Sequence, residues 1–143
     1  MASKYQKMVK FAKDNNEHND CSVKAVAIAC DVPYKVAHKA LERAGRKPRK
    51  GVFPNQIQAA VESLGYGVAQ WQVTAKTMSK LGADPELQKG HYMVFVRGHV
   101  AALKDGVIED WTQGRRHRVN KVARVYPTHS RKLRKAFAAA LFN

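Results

Sequence analysis

The sequence predicts an α+β fold in a single domain, with helices first and an antiparallel sheet after them. Residues 3–65 carry helical spacing with start and stop signals, whereas the residues from 66 onward fall into short alternating runs. A length of 143 residues suits one domain. We expect its core to cover about residues 15–127 and a basic C-terminal helix to occupy 128–143.

The first two helices are predicted from spacing and capping. Residues 3–13 form a short amphipathic helix whose apolar face consists of Tyr5, Met8, Val9 and Ala12. Asp20 is a good N-cap for a second helix at about 21–30. Because nearly every residue of that second helix is small or apolar, we expect it to be buried in the domain.

Two further helices are bounded by proline and glycine. The segment 33–45 begins with Pro33 and ends with Gly45, and the segment 54–65 repeats this arrangement. Proline suits the start of a helix and glycine suits its end. These positions therefore predict the third and fourth helices.

The C-terminal half reads as strands joined by turns. The sequence Lys104-Asp105-Gly106 is a strong hairpin signal between two alternating runs. A helical turn and a loop are expected at 74–90. The predicted strands lie at 66–73, 91–98 and 121–127 and, on either side of the hairpin turn, within 99–111.

The chain is strongly basic. It has 26 Lys and Arg residues against 11 Asp and Glu residues, for a net charge of +15. Such a field attracts nucleic acid or an acidic protein, although a basic but otherwise ordinary surface would give the same composition. The expected polyanion-binding residues are Arg46, Lys47, Arg49, Lys50, Arg115, Arg116, Arg131, Lys132, Arg134 and Lys135.

The two cysteines occupy different environments. Cys21 lies in the first turn of the second predicted helix, where the helix dipole favours a thiolate. Cys30 lies among apolar residues and is expected to pack in the core. Neither belongs to a CxxC pair, and His18, Asp20 and Cys21 match no standard metal spacing, so no metal site is predicted.

A base and an orienting carboxylate are predicted across the hairpin. His99 begins one strand and Asp110 ends the next, so the two side chains are expected to lie nearly opposite each other. Cys21, His99 and Asp110 can therefore form a nucleophile, a base and an orienting group. His91 is the main alternative base, and Trp111 is expected either to pack or to shield the group from water.

These segments resemble a known family. "NDCSVKAVAIA" at 19–29, followed by "HYMVFVRGHVAALKDGVIEDW" at 91–111, is similar to papain-like cysteine peptidases. The nearest likeness is to the branch with bacteriocin-processing peptidases and small proteins of tailed bacteriophages, over about residues 15–111. The resemblance implies a papain-like fold, with the cysteine on a central helix packed against the sheet. It also implies the roles of nucleophile for Cys21, base for His99 and orienter for Asp110.

The family also uses a Gln or Asn upstream of the cysteine to stabilise the oxyanion. This chain has no Gln there, but Asn15, Asn16 and Asn19 precede Cys21 by six, five and two residues. Any of these amides could donate beside the Cys21 backbone N–H. Asn15 is favoured by spacing and Asn19 by closeness, and the sequence does not choose between them.

The sequence thus predicts a papain-like cysteine hydrolase, a peptidase or amidase of bacteriophage type. It would act on a protein or peptide substrate and need neither a metal nor an organic cofactor. The alternative is a catalytically idle papain-like scaffold whose basic surface binds nucleic acid, an acidic host protein or a virion partner. No apolar stretch resembles a secretory signal or a membrane span, so we expect the protein in the host cytoplasm or packaged in a virion.

Overall fold

A computed structural model of the chain describes residues 3–128 and has an α+β fold. The helices in this range are α1 (Lys4–Asp14), α2 (Cys21–Ala29), α3 (Tyr34–Arg43), α4 (Pro54–Ser63) and α5 (Met78–Leu81), with a 3₁₀ turn at Pro85–Leu87. The strands are β1 (Tyr66–Trp71), β2 (His91–Val96), β3 (His99–Lys104), β4 (Val107–Glu109) and β5 (Lys121–Pro127). The predicted order of helices followed by antiparallel strands is confirmed.

The five strands form one antiparallel sheet in the order β1-β5-β2-β3-β4. The last strand, β5, therefore lies between β1 and β2, with Ala123 opposite both Gln70 and Met93. The hairpins β2-β3 and β3-β4 extend the sheet to its far edge. This leaves the hairpin that carries His99 at one side of the sheet.

Helix α2 is buried between the other helices and the sheet. Val23, Val26 and Ala27 are fully inaccessible, and the helix packs against β3. The opposite face of the sheet is covered by Met78 and Leu81 of α5 and by the 3₁₀ turn. Since α2 is enclosed on nearly all sides, its direction is fixed, and its N-terminus meets the start of β3.

The predicted hairpin turn is confirmed. Asp105 and Gly106 both have positive φ, 47° and 83°, as a two-residue type I′ turn requires. The Gly90 backbone N–H donates to Asp105 Oδ1 at 2.9 Å and ties the turn to the start of β2. The turn sets the register of β3 and β4, with Lys104 opposite Val107.

Three local expectations need correction or fall outside the described range. Val9 is 42% exposed and is not part of the buried face of α1. Asp20 occupies the N-cap position of α2, but its carboxylate accepts from Lys24 Nζ and the Tyr34 hydroxyl instead of capping the helix. Apart from residue 128, the predicted C-terminal helix lies outside the described residues, as do Arg131, Lys132, Arg134 and Lys135.

None of the helices within residues 3–128 is both long and apolar enough to cross a membrane.

Arg46 was expected on a polyanion-binding surface, and this is wrong. Its side chain is 1% exposed and donates to both carboxylate oxygens of Glu17, at 3.0 and 3.2 Å. Glu17 also accepts from His38 Nε2 and from the Arg49 backbone N–H. Arg46 is therefore a buried structural cation that anchors the loop leading to Cys21.

We expect Arg46→Met to lower the free energy of unfolding by about 3 kcal/mol, because removing one partner leaves a buried carboxylate poorly compensated. Although burial opposes the charge on Glu17, its hydrogen bonds to Arg46 and His38 lower its pKa from 4.5 to about 2. This stabilisation is therefore present at neutral pH and is lost as the pH falls from 4.5 toward 2. Urea unfolding at pH 7 and pH 3 measures both effects.

Exposed Lys47→Met is the matched control and should change the unfolding free energy by less than about 0.5 kcal/mol. Equal losses in the two variants at pH 7 would contradict the structural role of Arg46.

Candidate active site

Cys21 is the first residue of α2, and its thiol is only partly exposed. Burial of the thiol opposes its ionisation. Hydrogen bonding to the His99 ring and to the backbone N–H groups of Val100 and Ser22 outweighs burial and lowers the pKa of Cys21. The thiol is therefore poised to ionise more readily than an ordinary cysteine.

His99 and Asp110 form a direct hydrogen-bonded pair. His99 Nε2 donates to Asp110 Oδ2 at 2.7 Å, and their side chains are only 14% and 4% exposed. Glu109 pairs with Ala102, so extending the β3–β4 register by one residue places Asp110 opposite Ala101. Ala101 lies two residues after His99 in β3, and the two residues therefore share a face of the sheet. The pair is therefore diagonal and not directly opposite, a separation that long side chains still bridge.

The ring orientation leaves His99 Nδ1 for the thiol, since Nε2 is used by Asp110. Burial opposes protonation of the ring, but the hydrogen bonds and charges of Asp110 and Cys21 prevail and raise the pKa of His99 to about 9. A lowered cysteine pKa beside a raised histidine pKa favours a thiolate–imidazolium pair near neutral pH.

Thr112 holds the carboxylate and was missed by the sequence analysis. Its backbone N–H and its hydroxyl both donate to Asp110 Oδ2, at 3.1 and 2.7 Å, and the residue is fully buried. A side-chain acceptor that bonds the backbone two residues later is the Asx-turn pattern. The Asp-Trp-Thr order was therefore a signal, although a weak one.

Trp111 packs over the histidine. Its ring centroid lies 5.1 Å from that of His99 and 5.2 Å from that of His117, and the Arg115 guanidinium lies 5.8 Å from it. The tryptophan is still 51% exposed. It covers one side of the His99 ring and presents the rest of its surface to solvent.

Cys21 and His99 line two clefts. The first, the apolar cleft, has a volume of about 250 Å³. Its apolar lining side chains are Val52, Ile57, Phe95, Val96 and Val100. The second, the polar cleft, has a volume of about 210 Å³ and includes Tyr5, Asn19, Asp20, Lys24 and Trp111. Open space therefore adjoins the thiol in two chemically different directions.

The structure separates the candidate oxyanion donors. Asn15 Nδ2 donates to the Phe11 carbonyl at 2.8 Å, and Asn15 and Asn16 line a different cleft. Asn15 is therefore not brought to Cys21, contrary to the expectation from spacing. Asn19 does line the polar cleft, but its Nδ2 donates to the Arg49 carbonyl at 3.2 Å.

The structure places the alternative base His91 and the second thiol Cys30 away from the Cys21–His99 pair. His91 Nδ1 donates to the Ala29 carbonyl at 2.8 Å, at the far end of α2 from Cys21. Cys30 is 1% exposed, in agreement with the expected core packing, and burial raises its pKa to about 12. Within residues 3–128, no group of three or more His, Cys, Asp or Glu side chains is arranged to hold a metal ion.

The other predicted basic residues in the described range are exposed: Lys47, Arg49, Lys50, Arg115 and Arg116. The Arg115 guanidinium lies over Trp111, which lines the polar cleft. Arg49 instead lines the separate cleft that contains Asn15 and Asn16. Positive charge therefore lies beside the polar cleft at Arg115.

No model of a known protein family, no curated protein and no solved structure matches the chain.

The paired thiol makes a clear prediction for alkylation by iodoacetamide. Because the thiolate is the reacting form and the pKa of Cys21 is lowered, we expect Cys21 to react well below pH ~8.5, the ordinary cysteine value. Buried Cys30 should stay unmodified in the native protein. In His99→Ala the rate profile of Cys21 should shift to higher pH, as followed by mass spectrometry of the alkylated peptides. An unshifted profile would show that His99 does not control the thiol.

The carboxylate anchor makes another prediction. Thr112→Val keeps the shape of the side chain and the backbone bond to Asp110 but removes the hydroxyl bond. We expect a stability loss of about 1 kcal/mol and a higher pKa of Cys21 in the alkylation profile, because His99 is held less firmly. Thr128→Val removes a comparable hydroxyl bond to the Gly65 carbonyl. That control should lose stability without moving the profile of Cys21; a similar shift in both variants would contradict the anchor role.

Proposed function

We propose that the protein is a papain-like cysteine hydrolase that cleaves amide bonds in peptide or protein substrates. The observation that carries this proposal is the arrangement of Cys21 at a helix N-terminus, His99 beside it and Asp110 bonded to His99. A nucleophile, a base and an orienting carboxylate in that order are what acyl transfer requires.

The chemistry follows from the protonation states. The Cys21 thiolate attacks the carbonyl carbon, forming a C–S bond while the π electrons move to the carbonyl oxygen. As this intermediate collapses, the C–N bond breaks and the amine leaves with the proton of the His99 imidazolium. Water then attacks the thioester carbon and gives one proton to His99. The C–S bond breaks, the carboxylic acid departs and the thiolate–imidazolium pair is restored.

The clefts favour an internal bond of a chain over a terminal one. The apolar and polar clefts both adjoin Cys21, so substrate residues can lie on both sides of the bond being cut. Phe53, which is 73% exposed, lies between Val52 and Pro54 at the apolar cleft. An apolar substrate side chain is thus favoured on that side.

A second candidate is a scaffold that binds nucleic acid or another polyanion without catalysis. The net charge of +15 favours it, together with the exposed Arg115, whose guanidinium lies over Trp111 at the polar cleft. Such binding would fall steeply with salt and would be unaffected by Cys21→Ala, whereas loss of hydrolysis on that substitution belongs only to the enzyme.

The hydrolase proposal is tested with a broad library of proteome-derived peptides digested in H₂¹⁸O. We expect wild-type protein to create new C-termini carrying ¹⁸O, because water hydrolyses the thioester, and Cys21→Ala to create none. Mass spectrometry identifies the termini and the residues around each cleaved bond.

Cys30→Ala is the matched control, because it removes the other thiol without touching the clefts, and its cleavage pattern should equal the wild type. If wild-type protein and Cys21→Ala yield the same termini, the hydrolase proposal is wrong.

A further inference from the structure

The arrangement around Cys21 lacks an evident side-chain donor for the oxyanion. As the first residue of α2, Cys21 has a backbone N–H with no acceptor inside the helix, which supplies one donor. In the polar cleft, Asn19 Nδ2 is bonded to Arg49 and Lys24 Nζ is bonded to Asp20. Each of these two nitrogens already has one hydrogen engaged within the protein, so a side chain with an unengaged hydrogen on the same cleft wall is the better candidate for a second donor.

Tyr5 of α1 lies on that wall. It lines the polar cleft together with Cys21 and His99, and its ring packs against the main core. The Lys24 ammonium lies 5.9 Å from the ring centroid. The aromatic ring is therefore held in place, with the phenol oxygen near the cleft.

The surroundings of the hydroxyl favour a donor role. The Trp111 backbone N–H approaches the Tyr5 oxygen, which thus acts as an acceptor. Among residues 3–128, no hydrogen bond has the Tyr5 O–H as its donor. The hydroxyl hydrogen is consequently available to a group entering the cleft.

We propose that the Tyr5 hydroxyl, together with the Cys21 backbone N–H, stabilises the oxyanion formed during acyl transfer to Cys21. This inference rests on the proposed hydrolase function and assigns a catalytic residue to it. The oxygen that gains the π electrons when the C–S bond forms accepts both hydrogen bonds. When the carbonyl re-forms and the leaving group departs, those bonds weaken again.

The protonation state of the phenol agrees with this role. Burial, followed by the negative charges of Asp110 and Asp20, raises the pKa of Tyr5 to about 12. The hydroxyl therefore keeps its proton at any pH at which the Cys21–His99 pair is formed.

Two reagents distinguish stabilisation of the oxyanion by Tyr5 from an effect of Tyr5 on the reactivity of the Cys21 thiolate. p-Nitrophenyl acetate acylates Cys21 through an oxyanion intermediate, whereas iodoacetamide alkylates it by displacement at a saturated carbon with no oxyanion. Tyr5→Phe keeps the ring and removes only the hydroxyl. We expect this variant to be acylated about 10- to 100-fold more slowly and to be alkylated at the wild-type rate.

Tyr66→Phe is the matched control, because it loses a phenol hydroxyl in β1, outside both clefts, and both rates should equal the wild type. Asn19→Ala tests the competing donor. Preserved alkylation of Tyr5→Phe shows at the same time that the variant is folded and that its thiol is still paired with His99.

The outcomes are distinguishable. Unchanged acylation in Tyr5→Phe, or a larger loss in Asn19→Ala, would overturn the role of Tyr5 and leave the hydrolase proposal intact. Equal losses with both reagents would also overturn it, since Tyr5 would then act on the thiolate. If wild-type protein is acylated no faster than Cys21→Ala, the hydrolase proposal itself fails, and the inference fails with it.

Discussion

The burial of α2 is the constraint on which the site depends. Its Val and Ala side chains are enclosed by the other helices and by β3, so the helix has little freedom to slide or turn. A helix held in this way delivers its first residue to a fixed point. Cys21 therefore meets His99 because of packing along the whole helix, and the hydrogen bond between the two residues is the result.

The loop before Cys21 is held by charge and not by apolar packing. Glu17 is bonded to the buried Arg46 and to His38, and Asp20 is bonded to Tyr34 and Lys24. Each of these carboxylates joins the approach to α2 to a neighbouring helix or loop. The chain has a net charge of +15, but some of its cations, such as Arg46 and Lys24, form largely buried ion pairs. Only the remaining cations contribute to the positive field at the surface.

Local rules were sufficient for the helices and the hairpin. Proline and glycine mark the ends of α4 and its following turn, and Asp105-Gly106 sets the register that brings Asp110 within reach of His99. The place of β5 between β1 and β2 depends on long-range pairing, which spacing along the chain does not encode.

The unpredicted site features also depend on distant partners. Arg46 is buried because Glu17 lies 29 residues away in sequence but in contact in space. Tyr5 has the spacing of an ordinary apolar-face residue, and only the packing of α1 beside the hairpin brings it to Trp111. Asn15 has the spacing from Cys21 that suggested an oxyanion donor, but its side-chain amide donates to the Phe11 carbonyl at the end of α1.

The burial of Cys30 has a consequence for oxidative damage. The chain contains two cysteines, and they stand at opposite ends of α2, about 13 Å apart at ~1.5 Å per residue. A peroxide that converted the Cys21 thiolate to a sulfenic acid would find no resolving thiol within reach. Recovery would depend on a thiol from solution, and further oxidation to the sulfinic acid would be irreversible.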